Sequence, residues 1–165
     1  MKNLMLLFVI SVLSLSSFAR ERVVVYKSKR IMQIYQNDEL IKEFPVMLGS
    51  NPNGPKRQEG DRKTPEGEYI LDYHNPESRF YLSVHVNYPN DKDLEYAREN
   101  KIDNPGNEIF IHGLPKKVLN KTNSKEIYQF LKRLNWTWGC IALSNENMKF
   151  FYDFIPDGTP LIIYP

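Results

Sequence analysis

Cys140 is the residue of this chain best suited to covalent chemistry, and it is the only cysteine among the 165 residues. Cysteine catalysis requires a thiolate, a base that produces it, and hydrogen-bond donors for the oxyanion that forms on attack. Gly139 precedes the cysteine, and glycine lets the backbone approach a substrate closely or adopt a positive φ. Thr137 offers a hydroxyl, Trp136 and Trp138 could wall a site, and the N–H groups of residues 139 and 140 could form an oxyanion pocket. The alternative is an inert cysteine in a turn packed by two tryptophans, because free cysteine packs like a small hydrophobe.

A base for that thiol must come from one of three histidines. His112 ends a strongly apolar run and is followed by Gly113, where the chain would leave a sheet. Side chains at strand ends are held rigidly and stay within reach of a substrate. We expect His74 to be a solvated loop residue and His85 to be a hydrogen-bonded structural histidine in the middle of a strand. His112 is therefore the candidate base, with a capped structural histidine as the alternative interpretation.

Charge and spacing argue against several other functions. Lys and Arg total 22 against 20 for Asp and Glu, a net charge of only +2, which does not suit a protein that binds nucleic acid by neutralising phosphates. One cysteine and three dispersed histidines lack the paired spacing of zinc ligands. The Gly-rich stretch that ends at Gly67 leads into a predicted strand and not into a helix, unlike a phosphate-binding loop. We therefore expect no metal, no cofactor and no nucleic-acid partner.

Short strands are predicted to position the candidate residues. Three apolar segments at hairpin spacing indicate an antiparallel meander: Val23–Tyr26, Ile31–Tyr35 and Leu40–Phe44. Apolar runs or alternation predict four more strands: Glu68–Tyr73, Phe80–Tyr88, Glu108–His112 and Pro160–Tyr164. The stretch Ser50–Gly67 is rich in glycine, proline and charge, so we expect an exposed loop over one end of the sheet.

Helices are few in this sequence. Asp91–Asn100 is short and polar, and Ser124–Leu134 carries a stripe of Ile127, Phe130, Leu131 and Leu134 at helical spacing. Ser144 is a candidate cap for a helix whose stripe contains Met148, Phe151, Tyr152 and Ile155, and Pro156 would end it. No second core or linker is evident, so the sequence predicts one domain over residues 20–165.

The amino terminus has the pattern of a signal peptide. Lys2 precedes an apolar run from Leu4 to Leu15, and Ser17-Phe18-Ala19 places small residues at the positions that a signal peptidase reads. The run is shorter than the roughly 20 apolar residues of a membrane-spanning helix, so an uncut anchor is the less favoured alternative. We expect residues 1–19 to be removed, and the mature protein to work in the periplasm or cell envelope with no stable membrane insertion.

These segments together resemble a known family. Ile111-His112-Gly113 and Thr137–Asn145 look like the signature of the L,D-transpeptidase (YkuD-like) catalytic domain. Residues 60–69, Gly-Asp-Arg-Lys-Thr-Pro-Glu-Gly-Glu-Tyr, match the "G-D-x-K-T-P-E-G-x-Y" loop of that family. Three motifs in the right order, spread over nearly the whole mature chain, make the resemblance specific.

The resemblance implies a fold, an activity and a set of roles. It implies a mainly β structure, a β-sandwich of mixed sheets with two or three short helices around the active-site end. Such enzymes attack the bond between an L-centre and a D-residue in peptidoglycan stem peptides, form a thioacyl-enzyme and pass the acyl group to an amine. By position, Cys140 would be the nucleophile and His112 the general base, and the Gly113 carbonyl would orient the imidazole. Gly139 and Cys140 would supply oxyanion donors, beside the substrate-binding positions Thr137 and Trp138.

The sequence also departs from the family pattern, and this leaves alternatives open. Many members have a histidine at position 138 and an arginine at position 142, where this chain has Trp138 and Ala142. The same site could act as an L,D-carboxypeptidase that trims stem peptides and influences cell shape, with water replacing the amine. A third possibility is a non-catalytic module that binds the cell wall. The oligomeric state is open.

Overall fold

The computed structural model describes residues 20–119 and 124–165 of this chain, and the predicted signal peptide, residues 1–19, lies outside them. Within the described residues the elements, in chain order, are β1 (Glu21–Tyr26), β2 (Ile31–Gln36), β3 (Glu39–Pro45), β4 (Gly67–Asn75), β5 (Ser83–Val86), α1 (Asp91–Glu99), β6 (Phe110–His112), α2 (Lys116–Leu119), α3 (Ser124–Leu131), β7 (Ile141–Ala142), α4 (Asn145–Phe154) and β8 (Thr159–Tyr164).

The strands form one mixed sheet in the order β3-β2-β1-β8-β4-β5-β6-β7. The predicted antiparallel meander β1-β2-β3 is confirmed, and the last strand, β8, lies in the middle, parallel to β1 and antiparallel to β4. Met47, just after β3, pairs with Ala142 in β7, so the two ends of the sheet meet. The mainly β, mixed architecture is confirmed, with one curled sheet in place of separate sheets.

The core lies inside the curl. Side chains alternate between the two faces of a strand, so every second residue of β1, β2 and β8 points inward. These inward residues are fully or almost fully buried: Val23, Val25, Met32, Ile34, Leu161 and Ile163. They pack in one cluster with residues from β5, β6 and α4, among them Val84, Val86, Ile111, Met148 and Phe151. The core therefore fixes both ends of the sheet relative to each other.

The strand predicted over Phe80–Tyr88 is shorter, and β5 contains only residues 83–86. Before β5 the chain pairs with the residues that follow β6: the Tyr81 N–H donates to the Leu114 carbonyl and the Gly113 N–H to the Leu82 carbonyl, at 3.0 and 3.1 Å. These bonds pull residues 79–82 over the end of β6. The predicted alternation fails here because Phe80 turns towards His112.

The helix after Ser144 agrees with the prediction. The Ser144 hydroxyl accepts a hydrogen bond from the Asn147 N–H at 3.1 Å, which caps α4. Met148 and Phe151 are buried, and Ile155 follows as the C-cap. This cap begins the helix only a few residues after Cys140.

The helix α3 is shorter than predicted, and half of its predicted stripe is wrong. It ends at Leu131, and a turn in which the Leu134 N–H donates to the Leu131 carbonyl takes residue 134 off the helix. Ile127 and Leu131 pack against the small cluster of Met47, Leu114 and Ala142. Phe130 is 68% exposed, because that cluster is too small to cover the whole stripe. In the part of the chain that the structure describes, no helix has the length and apolar character needed to cross a bilayer.

Candidate active site

His112 is the last residue of β6 and is 1% exposed. Antiparallel pairing with Ser83 in β5 and parallel pairing with Ala142 in β7 fix its backbone on both sides. The Nδ1 atom lies 2.7 Å from the carbonyl oxygen of Gly113. A carbonyl only accepts, so Nδ1 carries the proton and Nε2 is left with a free lone pair. This is the tautomer that a general base requires at Nε2.

Two aromatic rings hold the imidazole from its sides. The Phe80 ring stacks on His112 with centroids 3.7 Å apart and planes 17° apart. The Trp136 ring meets it edge-on, at 5.7 Å and 64°. The Trp136 indole N–H is itself held by the Met47 sulfur at 3.2 Å. The ring of His112 therefore has little freedom to turn and little contact with water.

The burial sets the charge of the imidazole. Loss of water lowers the pKa of His112 to about 4; the hydrogen bond to Gly113 opposes this shift, and the nearby charge of Arg79 adds to it. The group is therefore neutral near pH 7 and able to accept a proton.

Cys140 follows a turn and precedes β7, with its side chain half-buried. Its Sγ atom accepts a hydrogen bond from the Phe110 N–H at 3.4 Å and lies 3.6 Å from the Glu108 carbonyl oxygen. Burial raises the pKa of the Cys140 thiol, while the Phe110 N–H and the charge of Arg79 oppose that shift. The resting pair is therefore a neutral thiol and a neutral imidazole.

The turn before the cysteine is built around Thr137. Its hydroxyl donates to the Cys140 carbonyl at 2.6 Å and accepts from the Gly139 N–H at 3.3 Å. Its backbone pairs with the chain after β3, through the Leu48 carbonyl and the Ser50 N–H. The hydroxyl that was predicted to face a substrate is thus engaged within the turn.

Gly139 is required by its surroundings. Its φ is +124°, and a Cβ added there would lie 2.6 Å from the Lys63 carbonyl oxygen and 3.1 Å from the Ile109 side chain. Any side chain would therefore push the turn away from the loop that carries Lys63. That loop sets the position of the residue next to the nucleophile.

The loop 50–67 is only partly the exposed segment that was predicted. Asp61 organises it: the carboxylate accepts hydrogen bonds from the N–H groups of Arg57, Gln58 and Lys63, and from the buried Lys56 ammonium at 3.0 Å. Burial alone would raise the pKa of Asp61, but these four bonds hold it below its ordinary value. Polar contacts, in place of an apolar anchor, fold this loop against the site.

Lys27, in the turn after β1, ties the loop to the sheet. Its buried ammonium donates to the carbonyls of Gly54 and Thr64 and to the Glu66 carboxylate, at 2.8, 2.9 and 2.7 Å. Burial lowers the pKa of Lys27, and the pairing with Glu66 opposes that shift. Thr64, fully buried, accepts from the Gly49 N–H at 3.0 Å. The loop is therefore connected to both the meander and the Cys140 turn.

Two cavities open beside the Cys140 side chain. One, of about 340 Å³, is the aromatic cavity, lined by Arg79, Phe80, His112, Trp136, Thr137, Trp138 and Cys140. The other, of about 440 Å³, is the acidic cavity, and its lining includes Cys140, Arg79, Glu77, Glu108 and Phe110. Cys140 and His112 share the aromatic cavity, whose lining also includes Trp138, a side chain that is 77% exposed. Cys140 lies where two chains could approach it from different directions.

The other histidines lie outside this site. His85 in β5 is held by Asp72 at 2.7 Å, as predicted for a structural histidine. His74 lies near the end of β4 and contacts the Asp157 carboxylate at 2.5 Å, so the prediction of a solvated loop residue is wrong. Its ring is covered by the Tyr152 ring, which the sequence gives no way to foresee. Over residues 20–119 and 124–165, no three His, Cys, Asp or Glu side chains cluster as a metal site would need.

Sequence reasoning missed three contributors to the site: Lys27, Arg79 and Phe80. Lys27 and Phe80 act through partners that are distant along the chain, and Arg79 stands in an irregular segment without periodicity. The sequence offered one signal for Phe80: it is an apolar side chain just before the strand β5.

Comparison with known proteins gives a consistent result. A family model described as the L,D-transpeptidase catalytic domain (YkuD) matches residues 20–163. The chain is similar to YafK of Escherichia coli K12, whose given name places it among the L,D-transpeptidases: the identity is 26% over 154 residues, covering 86% of this chain and 52% of YafK.

Two solved structures are similar to the fold described above. The helical cell shape determining protein Pgp2 from Campylobacter jejuni has 26% identity and a TM-score of 0.66, covering 89% of this chain and 48% of Pgp2. Bd1075 from Bdellovibrio bacteriovorus has 27% identity and a TM-score of 0.60, covering 89% of this chain and 48% of Bd1075. This chain spans about half the length of each of these three relatives.

Proposed function

Because the chain belongs to the YkuD family of L,D-transpeptidase catalytic domains, we propose that it is an exported L,D-transpeptidase acting on peptidoglycan stem peptides through a thioacyl-enzyme. Cys140 is the nucleophile and His112 the general base in this proposal. The observation that carries it is the presence of a half-buried thiol and a neutral, oriented imidazole in the lining of one cavity.

The first step is proton transfer coupled to attack. The thiol and the imidazole are both neutral at rest, so the sulfur becomes nucleophilic as Nε2 of His112 takes its proton. The sulfur adds to the carbonyl carbon of the L-centre and forms a tetrahedral oxyanion. The Gly113 carbonyl accepts from Nδ1 throughout and stabilises the imidazolium that forms.

The oxyanion needs hydrogen-bond donors beside the carbon on which it forms. We assign this role to the Cys140 N–H and the Gly139 N–H. In the resting structure the Gly139 N–H donates to the Thr137 hydroxyl at 3.3 Å, and in this proposal it turns to the oxyanion, which is charged and the stronger acceptor, when the oxyanion forms. The positive φ of Gly139 orients this part of the backbone.

The intermediate then collapses to the thioester. The imidazolium gives its proton to the departing amine of the D-residue, and the C–N bond breaks. An acceptor amine attacks the thioester carbonyl, and the imidazole takes a proton from that amine. The C–S bond then breaks, and the imidazolium returns the proton to the sulfur as the free thiol forms. Two cavities beside Cys140 support transfer, because the acyl-enzyme and an acceptor chain need separate approaches.

Relatives suggest the setting of this activity. Pgp2 is described as a protein that determines helical cell shape, and we extend a role in cell shape to this chain as part of the proposal. The predicted signal peptide, residues 1–19, would deliver the enzyme to the periplasm, where its substrate lies.

The test is an incubation of the purified protein with stem tetrapeptides and muropeptides, followed by mass spectrometry. We expect new cross-links between L-centres, or exchange of the terminal D-amino acid, and neither with Cys140→Ala. Shortened stems without transfer products would assign a carboxypeptidase. Binding without any covalent change would assign a wall-binding module and overturn the enzymatic proposal.

A further inference from the structure

Among the residues that the structure describes, three line both the aromatic and the acidic cavity: Cys140, Phe80 and Arg79. The positive charge of Arg79 acts on both reacting groups, because it lowers the pKa of His112 and of Cys140. A side chain at the junction of both cavities is close to any substrate whose scissile bond lies at the sulfur.

The backbone that carries Arg79 is fixed. The Lys116 N–H donates to the Arg79 carbonyl at 3.2 Å, and the next residue, Phe80, pairs with Pro115. The guanidinium lies over the Phe80 ring, with Cζ 5.5 Å from the centroid. The same ring stacks on His112, so the cation and the base are held by one aromatic group.

The guanidinium is exposed and lacks an anionic partner. Across the described part of the chain, no carboxylate lies within ion-pair distance of Arg79, and no side-chain hydrogen bond engages it. By contrast, Lys27 and Lys56 are buried against Glu66 and Asp61. An arginine presents a planar fork of donors that matches a carboxylate, so an unpaired one beside a nucleophile is suited to bind an anionic group.

The charges of the two cavities decide where such an anion fits. The acidic cavity contains Glu77 and Glu108, which repel a carboxylate. Of the described residues that line the aromatic cavity, Arg79 is the one with a charged side chain, because His112 is neutral near pH 7. Position 142 offers no alternative cation, since Ala142 is fully buried and paired with Met47.

We propose that Arg79 is the residue that binds the carboxylate of the departing D-residue in the aromatic cavity. This inference rests on the proposed function and adds the residue that recognises the donor peptide. The carboxylate of a terminal D-residue lies one residue beyond the scissile bond, within about 3.8 Å along the chain. The cation that binds it must therefore lie in the same cavity as the sulfur, and Arg79 and Cys140 line the same two cavities.

The experiment compares two donors that differ only in charge: a stem tetrapeptide ending in D-alanine and the same peptide ending in D-alaninamide. It uses wild type, Arg79→Gln, Arg79→Lys and, as a matched control, Arg98→Gln, which removes an exposed arginine of α1. The readouts are kcat and KM for each donor and the rate at which iodoacetamide alkylates Cys140.

We expect Arg79→Gln to lower kcat/KM for the carboxylate donor by about 10- to 100-fold, the range for a charged hydrogen-bonded pair. For the amide donor, kcat/KM of Arg79→Gln should fall by less than about threefold. Arg79→Lys should recover part of the kcat/KM that is lost on the carboxylate donor. Loss of the Arg79 charge should slow alkylation by neutral iodoacetamide, because that charge lowers the pKa of the Cys140 thiol, but by less than about threefold. Arg98→Gln should behave as wild type. An equal loss on both donors, slower alkylation to the same extent, or no loss on the carboxylate donor would overturn the proposal.

A failure of the proposed function would look different. In that case the wild type would release no product from either donor. Equilibrium binding of the two peptides to Cys140→Ala, with and without Arg79→Gln, then still tests the inference. A preference for the free carboxylate that disappears with Arg79→Gln supports it, and equal affinity for the two peptides contradicts it.

Discussion

Acid should destabilise this protein through His112 by an amount that the structure sets. The pKa of the imidazole is about 4 in the folded state, against 6.5 for the unfolded chain. Between these two values the unfolded state binds more protons than the folded state, so stability rises with pH. The stabilisation is complete above about pH 6.5 and is lost as the pH falls towards 4.

The magnitude follows from the two pKa values. From about pH 7.5 to about pH 4.5 the unfolded imidazole becomes almost fully protonated, whereas about a quarter of the folded population does. The folded state then loses about 2.5 kcal/mol through this one group. Other groups also titrate in this range, so the total loss exceeds the share of His112.

The assay is urea unfolding at both pH values for wild type and His112→Gln. Any stability that the substitution itself removes cancels, because each protein is compared with itself. We expect the wild type to lose about 2.5 kcal/mol more than the variant between the two conditions. Equal losses in the two proteins would refute the interpretation of His112 as a buried, neutral base.

Three further substitutions test the surroundings of the site. Gly139→Ala should lower the free energy of unfolding in urea by at least about 2 kcal/mol and abolish acylation, because of the positive φ and the clash with the loop. Its control is Gly60→Ala, which has open space around it and should lower the free energy of unfolding by about 1 kcal/mol. Lys27→Met should cost about 3 kcal/mol in the same assay, since it leaves the partly buried Glu66 carboxylate without its partner; a loss below about 1 kcal/mol would contradict that role. Phe80→Leu should admit water to His112 and move the acid limb of the kcat/KM profile to higher pH; an unchanged limb would show that the stack does not keep the imidazole neutral.

The sequence predicts the parts of this fold that depend on local patterns. The meander β1–β3 follows from alternation and turn residues, and the cap of α4 follows from Ser144. Its single curled sheet is harder to predict, because the closure depends on Met47 meeting Ala142, which are far apart in sequence.

The candidate site divides in the same way. The sequence singles out His112 as a histidine just before a glycine, and Cys140 as the one cysteine, just after a glycine. The structure brings both residues to one cavity. What holds them cannot be predicted from spacing: Phe80 reaches His112 only because residues 79–82 leave the strand to pair with residues 113–116. The loop 50–67 looked unanchored because its anchors are polar, with Asp61 in place of an apolar residue.

The central claim is that the sulfur of Cys140 becomes acylated while His112 accepts its proton. The most direct measurement mixes the protein with a stem tetrapeptide, or with a carbapenem as an activated acyl donor, and records the intact mass after an acid quench. We expect one adduct per chain, located on the peptide that contains Cys140, absent in Cys140→Ala and formed far more slowly in His112→Gln. An unmodified mass with both reagents, or an adduct that persists in Cys140→Ala, would contradict the claim.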